Sequence, residues 1–133
     1  MRNFEHQIAV AFVNWWGYWS RAKGIDERLL FAIPNGGARN IIVARKLKAE
    51  GVRAGVPDYF LAIPNHSYHG LFLELKAGGA GVPKGRVSPE QREMLVHLNT
   101  GGYMASIVCG IDEAVRAVEE YLADVAVKVG GTD

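Results

Sequence analysis

In Asp58-Tyr59-Phe60-Leu61-Ala62-Ile63 and Leu71-Phe72-Leu73-Glu74-Leu75-Lys76, the segments Tyr59–Ile63 and Leu71–Leu75 read as two strands joined by Pro64–His69, with Asp58 at the start of the first and Lys76 at the end of the second. Side chains alternate along a strand, so Glu74 and Lys76 share a face and Leu75 takes the other. If the loop is centred near His66–Ser67, paired residue numbers sum to about 133. Residue 58 then lies opposite 75, with Glu74 one position away. Neighbouring strands sit ~4.8 Å apart, so both carboxylates come within reach of one hard cation. Without a cation, two carboxylates this close repel and raise each other's pKa. An acid ending an apolar run such as Leu71-Phe72-Leu73 is also costly unless partnered. Lys76 beside them is suited to positioning a water or to offsetting charge that develops on a phosphate. The competing reading of the same residues is an ordinary surface ion pair, Glu74–Lys76 or Asp58–Lys76.

The remaining elements are arranged around this pair. Phe4, Ile8, Phe12, Trp15 and Trp19 recur at helical spacing, so the chain opens with an amphipathic helix. Leu29–Ile33 reads as a short strand ended by the turn Pro34-Asn35-Gly36-Gly37. Arg39–Glu50 reads as a second helix closed by Gly51, and Ser88 to about Asn99 as a third. Tyr103–Val108 is a further strand. Ile111–Val125 is a last helix with Ala114, Val118, Tyr121, Leu122 and Val125 turned inward. The order α-β-α-β-β-α-β-α implies an α/β fold, a small mixed sheet flanked by helices. With 133 residues the chain suits one domain, with a frayed tail after Val129.

Three features add to the carboxylate pair. Glu5 lies within the apolar arc of the first helix, where an acid calls for a partner, although the first turn also favours acids through the helix dipole. Gln91 stands at the capping-box position after Ser88-Pro89-Glu90, yet it lines up with Met94, Leu95 and Leu98 and so faces the sheet. In the second helix Ile41, Val43, Ala44 and Leu47 occupy one arc, and Arg39, Arg45 and Lys46 the other. With Arg53, Lys84 and Arg86 these are candidate phosphate contacts.

Charge patterning agrees with a polyanion-binding middle. Residues 34–92 hold nine basic and four acidic side chains, whereas 93–133 hold two and seven, within a net charge of only +1. Solvated surface charge is the plain alternative. The single Cys109 excludes an internal disulfide and any Cys-rich zinc site, and suits a reducing cytosol. Glu5, His6, Gln7 and Asn14 interrupt the apolar opening, which argues against a signal peptide, and no window is apolar enough to span a membrane. Ala77–Lys84 is glycine-rich but lacks P-loop spacing, and reads instead as a mobile loop over the substrate. His66 and His69 alone do not make a zinc site.

Taken together, Gly55-Val56-Pro57-Asp58, Gly70 through Lys76, and Ser88-Pro89-Glu90-Gln91 resemble the virus-type replication-repair nuclease (VRR-NUC) family of the PD-(D/E)xK superfamily. The resemblance extends to Glu5, to Pro34–Gly37 with Asn35 and Arg39, and to Lys46-Leu47-Lys48, and covers roughly residues 4–122. It implies a restriction-endonuclease-like fold and hydrolysis of DNA phosphodiesters with Mg²⁺ or Mn²⁺. Asp58 and Glu74 match the metal-binding acids, with the Leu75 carbonyl as a further ligand, and Lys76 matches the catalytic lysine. Glu5 matches the helical acid and Gln91 the glutamine of the fourth motif. The chain looks like the stand-alone form of phages and bacteria. Those forms resemble Holliday-junction resolvases, which usually act as homodimers, so branched DNA, a second copy and a cytoplasmic setting are expected. Two rivals belong to other classes. One is a non-catalytic nucleic-acid-binding module that keeps the fold, which the intact Asp58, Glu74 and Lys76 argue against. The other is a sequence-specific restriction nuclease, which would normally add a recognition element.

Overall fold

The computed structural model describes residues 2–34, 40–78 and 87–130. Helix α1 spans Arg2–Ala22. Its buried line is Ile8, Phe12, Trp16 and Ser20, spaced by four, and not the expected Phe4-Ile8-Phe12-Trp15-Trp19 stripe. Phe4 and Glu5 are exposed, while Trp15 and Trp19 are half-buried and stack on each other at 5.3 Å. Trp16 is 2% exposed, and its indole N–H donates to the Glu27 carbonyl at 2.8 Å. That bond gives the indole dipole a partner at depth, as burial of a tryptophan requires.

The chain turns through one 3-10 turn at Glu27–Leu29, capped by Asp26, into β1, Leu30–Ala32. Helix α2 covers Ile41–Ala49, with Asn40 as its cap, accepting from the Val43 N–H. Strands β2, Tyr59–Leu61, and β3, Leu71–Lys76, follow. Helix α3 covers Pro89–Thr100, β4 Met104–Cys109, and α4 Gly110–Gly130. Sheet order is β1-β2-β3-β4, antiparallel except for the parallel β3–β4 pair that α3 bridges. The mixed sheet between helices is the expected architecture. The last helix runs further than the expected Ile111–Val125.

One sheet face carries Leu30, Tyr59, Leu61, Leu71 and Leu73, and α1 and α4 cover it with Phe12, Trp16, Ala114, Val118, Tyr121 and Leu122. The other carries Phe72, Glu74 and Lys76, and α3 lies on its β4 side. The β2–β3 connection is tied down to α4. Tyr121 Oη donates to the Ile63 carbonyl at 2.7 Å, and Asn65 Nδ2 donates to the Tyr121 carbonyl at 3.1 Å. Burial pushes the Tyr121 hydroxyl up to about 12. Among the described residues no helix is long and apolar enough to cross a membrane.

The expected strand register needs correction. The β2–β3 register pairs Tyr59 with Leu73 and Leu61 with Leu71, so paired numbers sum to 132 and Asp58 falls opposite Glu74 rather than Leu75. One residue of register moves a side chain to the opposite face, so the correction brings the two acids closer. Helix α2 fully buries no side chain: Ile41, on its apolar arc, is 64% exposed, whereas Leu47 is half-buried.

Candidate active site

Gly55, with φ +89, turns the chain so tightly against the start of α3 that a Cβ there would run into the Glu90 carbonyl. Buried Pro57 follows, and Asp58 is thereby delivered to the head of β2. Its Oδ2 accepts from the Leu75 N–H of the neighbouring strand at 2.8 Å, while its own carbonyl accepts from the Ile33 N–H at 2.7 Å. Asp58 is thus fixed from both sides by backbone.

Glu74 is 5% exposed and Lys76 is half-buried two residues on. Lys76 Nζ lies 3.2 Å from Glu74 Oε2 and donates to Gln91 Oε1 at 3.2 Å. Gln91 closes the cluster, donating through Nε2 to Glu74 Oε2 at 2.8 Å. It also completes the capping box: its N–H donates to Ser88 Oγ and its Oε1 accepts from the Ser88 N–H. Gln91 therefore holds both roles that its position in the sequence left open. The rigid start of α3 is what aims it at Glu74.

Burial pushes the Asp58 carboxyl above its ordinary value and Glu5 adds to the rise, against the Leu75 N–H and the Lys76 charge. Burial likewise raises Glu74, with Asp58 repelling it, while Lys76 and Gln91 oppose. Desolvation leads in both cases, with mutual repulsion second for Glu74. Glu5 reaches the same region from the first turn of α1: with Asp58 and Leu75 it lines a cavity of about 280 Å³. His6, Ala9, Ala32, Ile33 and Tyr59 complete its wall.

The donor set suits a hard divalent cation. The described hydrogen bonds engage one oxygen of each acid, Asp58 Oδ2 and Glu74 Oε2, leaving Oδ1 and Oε1. Both carboxylates are disfavoured as anions where they stand, which a cation would relieve. Among the described residues no three His, Cys, Asp or Glu side chains gather into a metal group. Two carboxylates completed by a carbonyl, waters and substrate phosphate is the arrangement Mg²⁺ favours.

The remaining candidates are less gathered. Arg45, Lys46 and Arg53 are exposed on α2 and just after it. Asn35, Arg39, Lys84 and Arg86, and the glycine-rich stretch from Gly79 onward, lie outside the described residues. Sequence reading passed over His6 and Tyr59, although each directly follows a candidate acid.

The VRR-NUC domain family model matches residues 2–117. A solved structure described as a VRR_NUC domain protein superposes with a TM-score of 0.74 at 28% sequence identity, over 90% of this chain and 88% of that one. No curated protein matches the chain.

Proposed function

The chain belongs to the VRR-NUC family, a family of nuclease domains, and from that premise we propose a DNA endonuclease dependent on Mg²⁺ or Mn²⁺ that selects branched DNA by shape and acts as a homodimer. The observation that carries this reading is the bonded cluster of Glu74, Lys76 and Gln91 with Asp58 opposite, at the ends of β2 and β3. A surface ion pair needs no such glutamine bridge and no burial.

In this reading Asp58, Glu74 and the Leu75 carbonyl hold the cation, which when bound polarises the scissile phosphate and lowers the pKa of its water. Gln91 and Glu74 hold Lys76 by two contacts, so its remaining N–H points at a fixed place. There it orients the attacking water and offsets charge gathering on the phosphate. Glu5 adds a further acceptor at the mouth of the cavity. The basic residues Arg45, Lys46 and Arg53, with Asn35, Arg39, Lys84 and Arg86, grip the backbone without reading bases. A cytoplasmic setting suits Cys109, the one cysteine, as a free thiol.

The test is to incubate linear, flapped and four-way DNA with Mg²⁺ or Mn²⁺ and to map the cuts. Metal-dependent cutting that favours the branched substrates is the expected result. Cutting of none, or of linear duplex alone, rejects the proposal or its selectivity respectively.

A further inference from the structure

The cavity beside Asp58 holds two hydrogen-bond donors for which the mechanism above has no use. Tyr59 is only 7% exposed, its ring edge-on to Phe12 at 5.2 Å. Its hydroxyl bonds to no described residue, and no buried side-chain polar atom is left unsatisfied among the described residues. The hydroxyl of this buried residue therefore opens to the cavity that the residue lines. A hydroxyl that opens to a cavity is hydrated when the cavity is empty, and its ring holds it in place to donate to a polar group that displaces the water. His6, one residue beyond Glu5, lines the same cavity and likewise makes no described hydrogen bond or ion pair. The other polar walls, Glu5 and Asp58, are acids and can only accept when ionised.

We infer that His6 and Tyr59 form a subsite for one phosphodiester group of the bound strand, each donating a hydrogen bond to a non-bridging oxygen. This rests on the nuclease reading and adds the strand's path to it: the backbone passes between the first turn of α1 and the head of β2. About 280 Å³ is close to the lower end of small-ligand cavities, roughly 300 Å³, and room enough for a phosphate and its sugar. The two donors give the phosphate oxygens partners in a cavity whose other polar walls, Glu5 and Asp58, offer none. Asp58, which would hold the cation, lines the same cavity, so the subsite phosphate would neighbour the one that is cut. Both residues are positioning residues that contact substrate, and neither takes part in proton transfer.

The experiment compares wild type, Tyr59→Phe and His6→Ala on DNA with a single methylphosphonate moved along the strand. Binding is read by anisotropy in Ca²⁺ and cleavage in Mg²⁺. Wild type should lose about tenfold in binding at one position next to the cut, and each variant should bind unmodified DNA several-fold more weakly. Each variant, keeping one of the two donors, should then be less sensitive than wild type to methylphosphonate at that position while remaining as sensitive elsewhere. Tyr59→Phe keeps the ring and the packing on Phe12, and an unchanged Tm separates lost contact from lost fold. Equal sensitivity of wild type and both variants at every position would overturn the subsite. A wild type that cuts nothing would instead overturn the nuclease reading on which it stands.

Discussion

At the scale of single residues, Asp58 and Glu74 are placed against their own stability. Both are pushed up chiefly by burial, so the metal-free native state holds their protons more tightly than the unfolded chain does. Their contribution is fully present below the ordinary carboxylate range, about 4, and is lost as pH rises through their raised native values. Asp58→Asn removes the charge while its side-chain oxygen can still accept from the Leu75 N–H. In chelator the variant should match wild type near pH 4 and exceed it at pH 7 by roughly 0.5–2 kcal/mol, the usual size of a single stabilising substitution. Urea unfolding across that range checks it, and a variant less stable than wild type at pH 7 would contradict the account. Lys76→Ala should retain DNA affinity within a few-fold yet cleave about 10²–10³ times more slowly, since its charge matters most as the phosphate gains charge. Binding and single-turnover cleavage, measured together, separate the two effects. These residues stand out in the sequence as candidates because acids and a lysine end apolar strands, a pattern that a surface ion pair would also produce. The register was not legible there: a loop centred half a residue away gives almost the same hydrophobic pattern, and only the backbone pairing fixes which acid faces which.

Among the elements, the decisive one is the turn Gly55-Val56-Pro57 that docks on the start of α3. It joins two parts of the site, Asp58 on β2 and Gln91 on α3, and Gly55 sets how close they come. Gly55→Ala brings both a positive-φ cost and a clash with the Glu90 carbonyl, and should destabilise by about 2–3 kcal/mol. Gly51, with φ +106 and open space around it, has the first cost without the second, so Gly51→Ala should lose only about 1 kcal/mol. Paired denaturation curves test the contrast, and equal losses would remove close packing as the cause. Helix α3 was readable down to its capping box because Ser88, Pro89 and Gln91 signal a start through local chemistry. The seating of α2 was not readable. Its apolar arc has the right period, but periodicity states only that a face exists, and along this arc Ile41 is 64% exposed while Leu47 is half-buried.

For the whole molecule, the unresolved relation is between one site and two strands. One chain brings one Asp58–Glu74–Lys76 cluster, and in the proposed mechanism one such cluster would cut one strand at a time. A four-way junction needs two cuts related by approximate two-fold symmetry, which a two-fold dimer supplies without further parts. The aromatic opening of the sequence suggested more surface than one core could cover, and the structure divides that surface. Trp16 is taken into the core, Trp15 and Trp19 are half-covered, and Tyr18 stands 74% exposed with the Arg21 guanidinium over its ring at 5.5 Å. Val10 and Val13 are exposed on the same helix, away from its buried line. An isologous contact through the outer side of α1 around Tyr18 and Val10 would cover the same exposed apolar surface on both subunits. Light scattering at micromolar concentration should therefore give twice 14.5 kDa. Tyr18→Asp should bring the mass to that of one chain, and Phe31→Asp, an exposed change on β1, should not. On a fixed four-way junction the monomeric variant should still nick but should no longer make its two cuts within one binding event. A wild type that is monomeric and prefers plain linear duplex would refute the dimer and the junction together. A dimer indifferent to Tyr18→Asp would move the interface off α1 and leave the two-site argument standing.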